Sequence, residues 1–222
     1  MSALYYCRQT TTACKGIPYP SKTHPYRYGT SGCVYTSGCG VCASLMALRN
    51  STTRVFNTRQ WTHRCLGMGA RAAEGTDMAV VARYMKEKYG LDYAVTTDMD
   101  RLVAHLKQGY KAIINVSGGG KMLFSNSGHY VLAAGIDKNG NLIILDPYWY
   151  DGKFTLTAAR RKYTRVKNGR EVYVRPADLK GDVLSLWLFT PKRDVRLAYS
   201  THDIHYRKSA PTAPTVNPAR II

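Results

Sequence analysis

The chain of 222 residues carries 32 lysines and arginines against 14 aspartates and glutamates, a formal net charge of +18 at pH 7. Its length and its hydrophobic content of 45% predict one folded domain of ordinary core size and argue against intrinsic disorder. No apolar run approaches the ~20 residues of a membrane span. Residues 1–7 lack the pattern of a secretory signal, so we expect synthesis in a cytoplasm without a signal peptide.

The excess of positive charge predicts an anionic partner or anionic surroundings, because a field of this size attracts polyanions. Nucleic acid, anionic lipid and the phosphate-rich polymers of a bacterial wall all fit, and a generally solubilising surface is the alternative. Basic residues are concentrated late in the chain, with tyrosines between them, from Arg160 to Arg170 and again from Lys192 to Arg196. Charge alone does not choose among these partners.

Four helices are predicted in the first half of the chain. Residues 39–49 are almost all apolar or small, which predicts a helix buried on most sides. Further helices are predicted over residues 57–66, from a capping Thr76 to Gly90, and from Asp98 to Gly109. Residues 1–38 are predicted to be irregular, because three prolines and several glycines interrupt any periodicity.

Strands follow the helices. Two Asn-Gly pairs, at 139–140 and 168–169, are typical of tight hairpin turns between antiparallel strands. The predicted strands cover residues 112–116, 129–136, 141–145, 162–166, 171–175 and 183–189. Helices first and an antiparallel sheet afterwards indicate an α+β domain.

One cysteine, one histidine and one aspartate have distinctive settings in this arrangement. Cys39 begins the apolar helix, where the positive end of the helix dipole favours a thiolate. The 139–140 hairpin brings His129, at the start of one strand, beside Asp146, at the end of its partner. A cysteine nucleophile, a histidine base and a carboxylate that orients the base form a known catalytic combination. The pattern therefore predicts nucleophilic catalysis by a thiol.

The cysteines leave other interpretations open. All six lie within the first 65 residues, at positions 7, 14, 33, 39, 42 and 65. Disulfides require an oxidising compartment, which the missing signal pattern disfavours. A zinc site could use several of these cysteines with His24 or His63, although the spacing does not match the usual zinc modules. Cys39 and Cys42 also form a C-x-x-C pair, but no buried strand precedes it as in redox proteins. Reduced structural thiols with one reactive thiol are favoured.

Several stretches of the chain carry a resemblance to a known family. They are Thr36 to Met46 around the nucleophile, the helix from Asp77 to Gly90, Leu106 to Gly109, and Gly128 through the hairpin to Pro147. Together they resemble the papain-like cysteine peptidases of the bacteriocin-leader-processing type, in particular their stand-alone relatives in phage lysins and cell-wall enzymes. The resemblance covers roughly residues 1–190. It implies a papain-like fold, in which an N-terminal helical part with a buried nucleophile helix packs on a C-terminal antiparallel sheet.

The resemblance also implies the chemistry. Peptide-bond hydrolysis would use Cys39, His129 and Asp146, with no metal and no cofactor. The family usually supplies a glutamine to the oxyanion hole from the segment before the nucleophile. Gln9 is the candidate here, and Ser21 occupies another plausible position; a hole built mainly by the Cys39 backbone N–H is the alternative.

The sequence thus leads to a specific expectation of function. We expect a phage or bacterial endopeptidase that degrades peptidoglycan, acting at the cell wall after release or as a component of a virion. Residues 191–222, basic and then rich in proline and threonine, are expected to form a tail that binds the wall or a partner. The alternatives are a peptidase that processes a leader peptide or another protein, and a basic protein that binds nucleic acid non-specifically on a peptidase-like fold.

Overall fold

A computed structural model gives the structure of the protein and describes residues 4–192. The helices are α1 (Thr12–Lys15), α2 (Val34–Ser37), α3 (Cys39–Ser51), α4 (Thr58–Gly67), α5 (Met78–Tyr89), α6 (Met99–Lys107), α7 (Ala158–Tyr163) and α8 (Pro176–Leu179). The strands are β1 (Leu91–Thr96), β2 (Lys111–Val116), β3 (His129–Ile136), β4 (Leu142–Leu145), β5 (Thr164–Lys167), β6 (Glu171–Val174) and β7 (Val183–Pro191). Two single-turn 3₁₀ helices cover Lys153–Thr155 and Lys180–Asp182.

All seven strands belong to one antiparallel sheet with the order β1-β7-β2-β3-β4-β6-β5. Successive side chains of β2 enter two separate cores, as the alternation of a strand requires. Ile113 joins the core shared with α3, α4 and α5, whereas Ile114 joins the core that contains residues of α6. The sheet is therefore covered on both faces, which explains why its central strands are apolar throughout.

Helix α3 is the centre of the first core. Every residue from 40 to 48 is buried, and the helix packs on β2 and β3 and against α4. Its one internal polar side chain is satisfied, because Ser44 Oγ donates to the Val41 carbonyl and accepts the Trp61 indole N–H of α4 at 2.9 Å. A helix held on several sides in this way presents a fixed N-terminus at its first residue, Cys39.

The α+β prediction is confirmed, including the buried helix that packs on the antiparallel sheet. The predicted hairpin at 168–169 also forms: Lys167 pairs with Glu171, and the turn between them has left-handed φ of 52° at Asn168 and 76° at Gly169. Within residues 4–192 no helix is long and apolar enough to cross a membrane. The predicted tail lies almost wholly outside the described residues, although Pro191 itself ends β7.

Three details of the sequence prediction are wrong. Residues 1–38 are not wholly irregular, because the single-turn helices α1 and α2 form there. The N-cap of α5 is Asp77, whose carboxylate accepts from the N–H groups of Ala79 and Val80, while Thr76 is buried and bonds to Tyr19. The predicted strand at 162–166 begins only at Thr164, because the cap at Thr157 starts the short helix α7 first.

Strand β1 was not predicted and is a finding of the structure. It follows directly after Gly90, the left-handed cap of α5, and pairs with β7 at the edge of the sheet. The neighbouring residues Ala94 and Val95 of β1 are both exposed, so the segment lacks the strong alternation of apolar and polar residues that marks a half-buried strand. The helical part of the chain thus contributes a strand to the sheet.

Candidate active site

The position of Cys39 depends on the two glycines beside it. A Cβ at Gly38 would lie 2.4 Å from the Val34 carbonyl oxygen, and a Cβ at Gly40 would lie 2.5 Å from the Thr76 Cβ. Real side chains do not pack at such distances, so only glycine lets α2 turn into α3 and lets Thr76 approach the start of α3. The Gly-Cys-Gly motif therefore has a steric cause, and it places Cys39, a partly exposed residue, at the helix N-terminus.

The antiparallel pairing of β3 with β4 places His129 and Asp146 together. His129 begins β3, Asp146 follows the last residue of β4, and His129 Nε2 lies 2.8 Å from Asp146 Oδ1. His129 is 6% exposed and Asp146 is fully buried. With Nε2 engaged by the carboxylate, the other ring nitrogen is left for the Cys39 thiol, whose pKa His129 lowers by hydrogen bonding and charge.

The Asp146 carboxylate is bound on both oxygens. Oδ1 accepts from His129 and from the Tyr148 backbone N–H at 2.9 Å, and Oδ2 accepts from the Lys153 ammonium at 2.6 Å. The Tyr6 hydroxyl donates to the Asp146 backbone carbonyl at 2.6 Å. Burial opposes ionisation, yet the charges of His129 and Lys153 outweigh it and hold the pKa of Asp146 below its usual value. The site therefore contains an ionised carboxylate in the interior.

The electrostatics favour a charged Cys39–His129 pair. Burial acts against the thiolate, but the hydrogen bond and charge of His129, with the N–H groups of Tyr130 and Gly40, lower the pKa of Cys39. Burial likewise acts against the imidazolium, but Asp146 and Cys39 together raise the pKa of His129 to about 9. Because the pKa of Cys39 falls and that of His129 rises, the site favours the thiolate–imidazolium form of the pair over the neutral form.

Gln9 lies between the two halves of the site. Its backbone N–H donates to the Pro147 carbonyl at 2.9 Å, directly after Asp146, and its side-chain Nε2 donates to the Tyr35 carbonyl of α2 at 3.2 Å. The side chain is 2% exposed, and its Oε1 has no hydrogen-bond partner among the described residues. Ser21, by contrast, donates its hydroxyl to the Ala73 carbonyl in a surface turn. Of the two candidates, Gln9 is the one bonded to the loop that follows Asp146 and to the helix that precedes Cys39.

Sequence reasoning missed the groups that surround Asp146. Lys153 stands in an Asp-Gly-Lys turn, which is indistinguishable in sequence from an ordinary exposed turn, yet its side chain is 3% exposed. Tyr148 was not singled out, although its ring lies edge-on to the His129 imidazole with centroids 6.3 Å apart. The signal available in sequence was their position within a few residues of Asp146.

The remaining thiols are packed in the interior. All six cysteines are free, and Cys42 lies one turn after Cys39, fully buried and hydrogen-bonded to Cys7. The hydrogen bond and burial raise the pKa of Cys42 well above its ordinary value, and burial alone raises that of Cys65. Within residues 4–192 no group of three or more histidine, cysteine or acidic side chains is arranged to hold a metal ion. Cys39 is the one described cysteine that is partly exposed.

A cysteine at a helix start, a histidine and an aspartate joined across an antiparallel sheet define the class of thiol hydrolases with a papain-like arrangement. Residues 14–171 match the family described as Peptidase_C39 like. The chain belongs to this family and is a cysteine peptidase of the C39 type. No curated protein matches the chain.

The solved structures that are similar to this chain include two peptidase domains. One is the peptidase domain of Streptococcus ComA, a bifunctional ABC transporter involved in a quorum-sensing pathway: 14% identity, 69% of this chain and 91% of that chain covered, TM-score 0.46. The other is the peptidase domain of Streptococcus mutans ComA in complex with a small-molecule inhibitor: 15% identity, 70% and 93% covered, TM-score 0.40.

Proposed function

We propose that this peptidase cleaves peptide bonds with Cys39 as nucleophile, His129 as acid and base, and Asp146 as the group that orients His129. The observation that carries the proposal is the buried Asp146–His129 hydrogen bond of 2.8 Å, beside a Cys39 thiol whose pKa the same imidazole lowers. This geometry would hold His129 in one tautomer and orientation, and the lowered pKa of Cys39 favours the thiolate.

The reaction follows from these positions. The Cys39 thiolate attacks the carbonyl carbon of the scissile amide, and the new oxyanion accepts hydrogen bonds from the Cys39 backbone N–H and the free N–H of Gln9 Nε2. His129 gives its proton to the amide nitrogen as the C–N bond breaks, which leaves a thioester on Cys39. His129 then takes a proton from water, the hydroxide displaces the thiolate, and the carboxylic acid product leaves.

For the substrate we propose the peptides of peptidoglycan, with cleavage at a bacterial wall. The basic edge of the sheet supports this proposal. We use this name for the exposed residues Arg161, Lys162, Arg165, Lys167, Arg170 and Arg175, which lie on or beside β5 and β6. A cavity of about 280 Å³ opens among four of these cations and the rings of Tyr163 and Tyr173. Such a surface suits phosphate-rich wall polymers, which would retain the enzyme beside its substrate.

The proposal includes the route to the substrate. The enzyme would reach the wall after release from a cell, or as part of a virion. Binding of nucleic acid by the same basic edge is expected to be non-specific, because it rests on charge and not on base contacts.

Digestion of purified peptidoglycan tests the proposal. Walls of several crosslink types and soluble stem peptides are incubated with the wild-type protein and with Cys39→Ala, and the products are identified by mass spectrometry. The wild type should release amine and carboxyl ends from wall peptides, and Cys39→Ala should release none. Cleavage of linear protein substrates alone would replace the wall assignment by protein or leader-peptide processing. Equal products from both proteins, or no amide product from any substrate, would overturn the catalytic assignment.

A further inference from the structure

Lys153 is a buried ammonium group next to the site. Its Nζ lies 2.6 Å from Asp146 Oδ2 and 2.9 Å from the Tyr148 carbonyl oxygen, and the residue is 3% exposed. The rings of Tyr148 and Phe154 flank the charge, with their centroids 5.3 and 5.6 Å away. Removing an ammonium from water is costly, so a chain keeps one in the interior only where its partners compensate. Here the main partner is the carboxylate that holds His129.

The two oxygens of Asp146 have separate tasks. Oδ1 receives the His129 ring and the Tyr148 N–H, while the hydrogen bond to Oδ2 comes from Lys153. If Lys153 were absent, Oδ2 would be a buried charged oxygen without this partner, and the carboxylate could rotate about its χ2 angle or take up a proton. Either change would weaken the bond from Oδ1 to His129.

We propose that Lys153 is a positioning residue of the peptidase: its ammonium fixes the Asp146 carboxylate through Oδ2, so that Oδ1 stays directed at His129. The site is thus a chain of four residues, Cys39, His129, Asp146 and Lys153. This inference rests on the proposed function, since it assigns a role in the same reaction.

The fold holds Lys153 from its backbone side as well. Its backbone N–H donates to the Tyr150 carbonyl at 3.1 Å, and its own carbonyl accepts from Arg160 Nη1 at 3.2 Å. Arg160 belongs to α7, is 8% exposed, and also donates to the Met122 carbonyl. The ammonium therefore approaches Asp146 from a turn that α7 anchors, which limits its freedom to leave.

The charge of Lys153 acts chiefly on Asp146. Besides Lys153, the groups that face Asp146 are Tyr6 from the N-terminal segment and His129 from β3. The charges that act on Lys153, apart from Asp146, are Arg160 from α7 and Cys39 from α3. Burial raises the pKa of Asp146, and Lys153 is one of the two cations that lower it. Without the ammonium, Asp146 should take up a proton at a higher pH, and His129 would then lose its anionic partner.

The test compares Lys153→Met with Lys121→Met. Methionine keeps the length and apolar stem of lysine while removing its charge. Lys121 is the matched control, because its ammonium also approaches an aspartate, Asp178, at 3.6 Å, but at a more exposed position elsewhere in the fold. The measurements are kcat and KM on a soluble peptide, and the rate of Cys39 alkylation by iodoacetamide as a function of pH.

Lys153→Met should lower kcat by about tenfold to a hundredfold with little change in KM, by analogy with the partners that orient metal-bound histidines. The acidic limb of the alkylation profile should move up by about one pH unit, as the loss of an opposite charge within a few ångströms predicts. Lys121→Met should change neither. A variant that is less stable but keeps the wild-type kcat and acidic limb would show that Lys153 only supports the fold.

The outcome is separable from that of the proposed function. Inactive Cys39→Ala together with fully active Lys153→Met would overturn the role of Lys153 alone, whereas active Cys39→Ala would overturn both.

If Lys153→Met does not fold, the wild-type protein gives the answer through ¹⁵N NMR of its lysine ammonium groups. The Lys153 signal, assigned by its loss in Lys153→Arg, should show slow proton exchange and should shift as Asp146 titrates. Exchange as fast as that of Lys121, with no response to Asp146, would contradict the proposal.

Discussion

The protein uses its charges in two opposite ways, inside the site and along the basic edge. Inside the site, the Asp146 carboxylate lies 2.8 Å from His129 Nε2 and 2.6 Å from Lys153 Nζ, and all three residues are less than 10% exposed. Along the basic edge the cations are exposed and lie in a medium where salt screens them within about 8 Å. The effect of the interior charges on the site therefore depends on the positions of these few groups, and a single substitution should abolish it. The charges on the basic edge act through their total, so a single substitution there should change the attraction to anions only a little.

The largest effect is expected at the reacting groups. Cys39→Ala and His129→Ala should each abolish peptide hydrolysis, because the first removes the nucleophile and the second its proton carrier. Both residues lie at the ends of elements, so circular dichroism and thermal unfolding should show a folded protein. Cys42→Ala, one helical turn away in the core, serves as the control that keeps activity. Hydrolysis by Cys39→Ala would move the nucleophile elsewhere.

Asp146→Asn should lower the rate of hydrolysis by about 10²- to 10⁴-fold but not abolish it, because the orientation of His129 is weakened and not lost. The substitution also leaves the Lys153 ammonium without its carboxylate, so the stability of the protein should fall by about 3 kcal/mol or more. The double variant Asp146→Asn/Lys153→Met should recover part of this stability without recovering activity. Denaturant unfolding and peptide assays separate the two effects. Full activity of Asp146→Asn would mean that another group orients His129.

The charged Cys39–His129 pair predicts a distinctive pH dependence. Since the pKa of Cys39 is lowered, iodoacetamide should label Cys39 first at mildly acidic pH, as peptide mapping would show. Since the pKa of His129 is raised to about 9, hydrolysis should persist through neutral pH and fall as the pH rises through that value. Cys65, whose pKa is raised by burial, is the internal control and should stay unlabelled. Preferential labelling of Cys42 would contradict the assignment.

A smaller effect is expected at Gly40, one of the two glycines that position Cys39. Gly40→Ala should destabilise the protein by about 1–3 kcal/mol, because the new Cβ meets Thr76 at 2.5 Å in a packed region. Gly67→Ala is the matched control: Gly67 is also helical, but no atom lies within 4 Å of an added Cβ, so the change should be neutral or slightly stabilising. Denaturant unfolding measures both. Equal stability of the two variants would show that Thr76 can move aside at no cost.

The smallest effects are expected at the basic edge. Lys167→Gln alone should change adsorption to walls only slightly, and Lys162→Gln, Lys167→Gln and Arg170→Gln combined should weaken it and reduce its dependence on salt. Hydrolysis of a small soluble peptide should be unaffected in all of them. Sedimentation of the protein with walls at several salt concentrations measures adsorption. A loss of soluble-peptide cleavage in the combined variant would mean that the edge contributes to the site itself.

The elements that could be predicted from the sequence are those that depend on a local residue pattern. The features that were missed depend on contacts between distant parts of the chain. The helix at Cys39 and the hairpin between His129 and Asp146 follow from an apolar run and a turn signal, which are local. Lys153 has no such signal: its own partners, Asp146, Tyr148 and Arg160, are near in sequence, but the segment that buries it is itself held by a distant residue, since Thr10 donates to the Trp149 carbonyl. Strand β1 was missed for a related reason, since its pairing with β7 decides its conformation and its own residues do not.

The order of the residues along the chain has a consequence for when the enzyme becomes active. The segment that carries Gln9 is hydrogen-bonded to Pro147, and Tyr6 is hydrogen-bonded to Asp146, 140 residues later in the chain. During synthesis Cys39 emerges long before His129, Asp146 and Lys153, and domains generally fold as units. The thiol therefore meets its base only once nearly the whole described chain has left the ribosome. Until then the nucleophile has no base beside it, so the order of these residues along the chain delays assembly of the catalytic site.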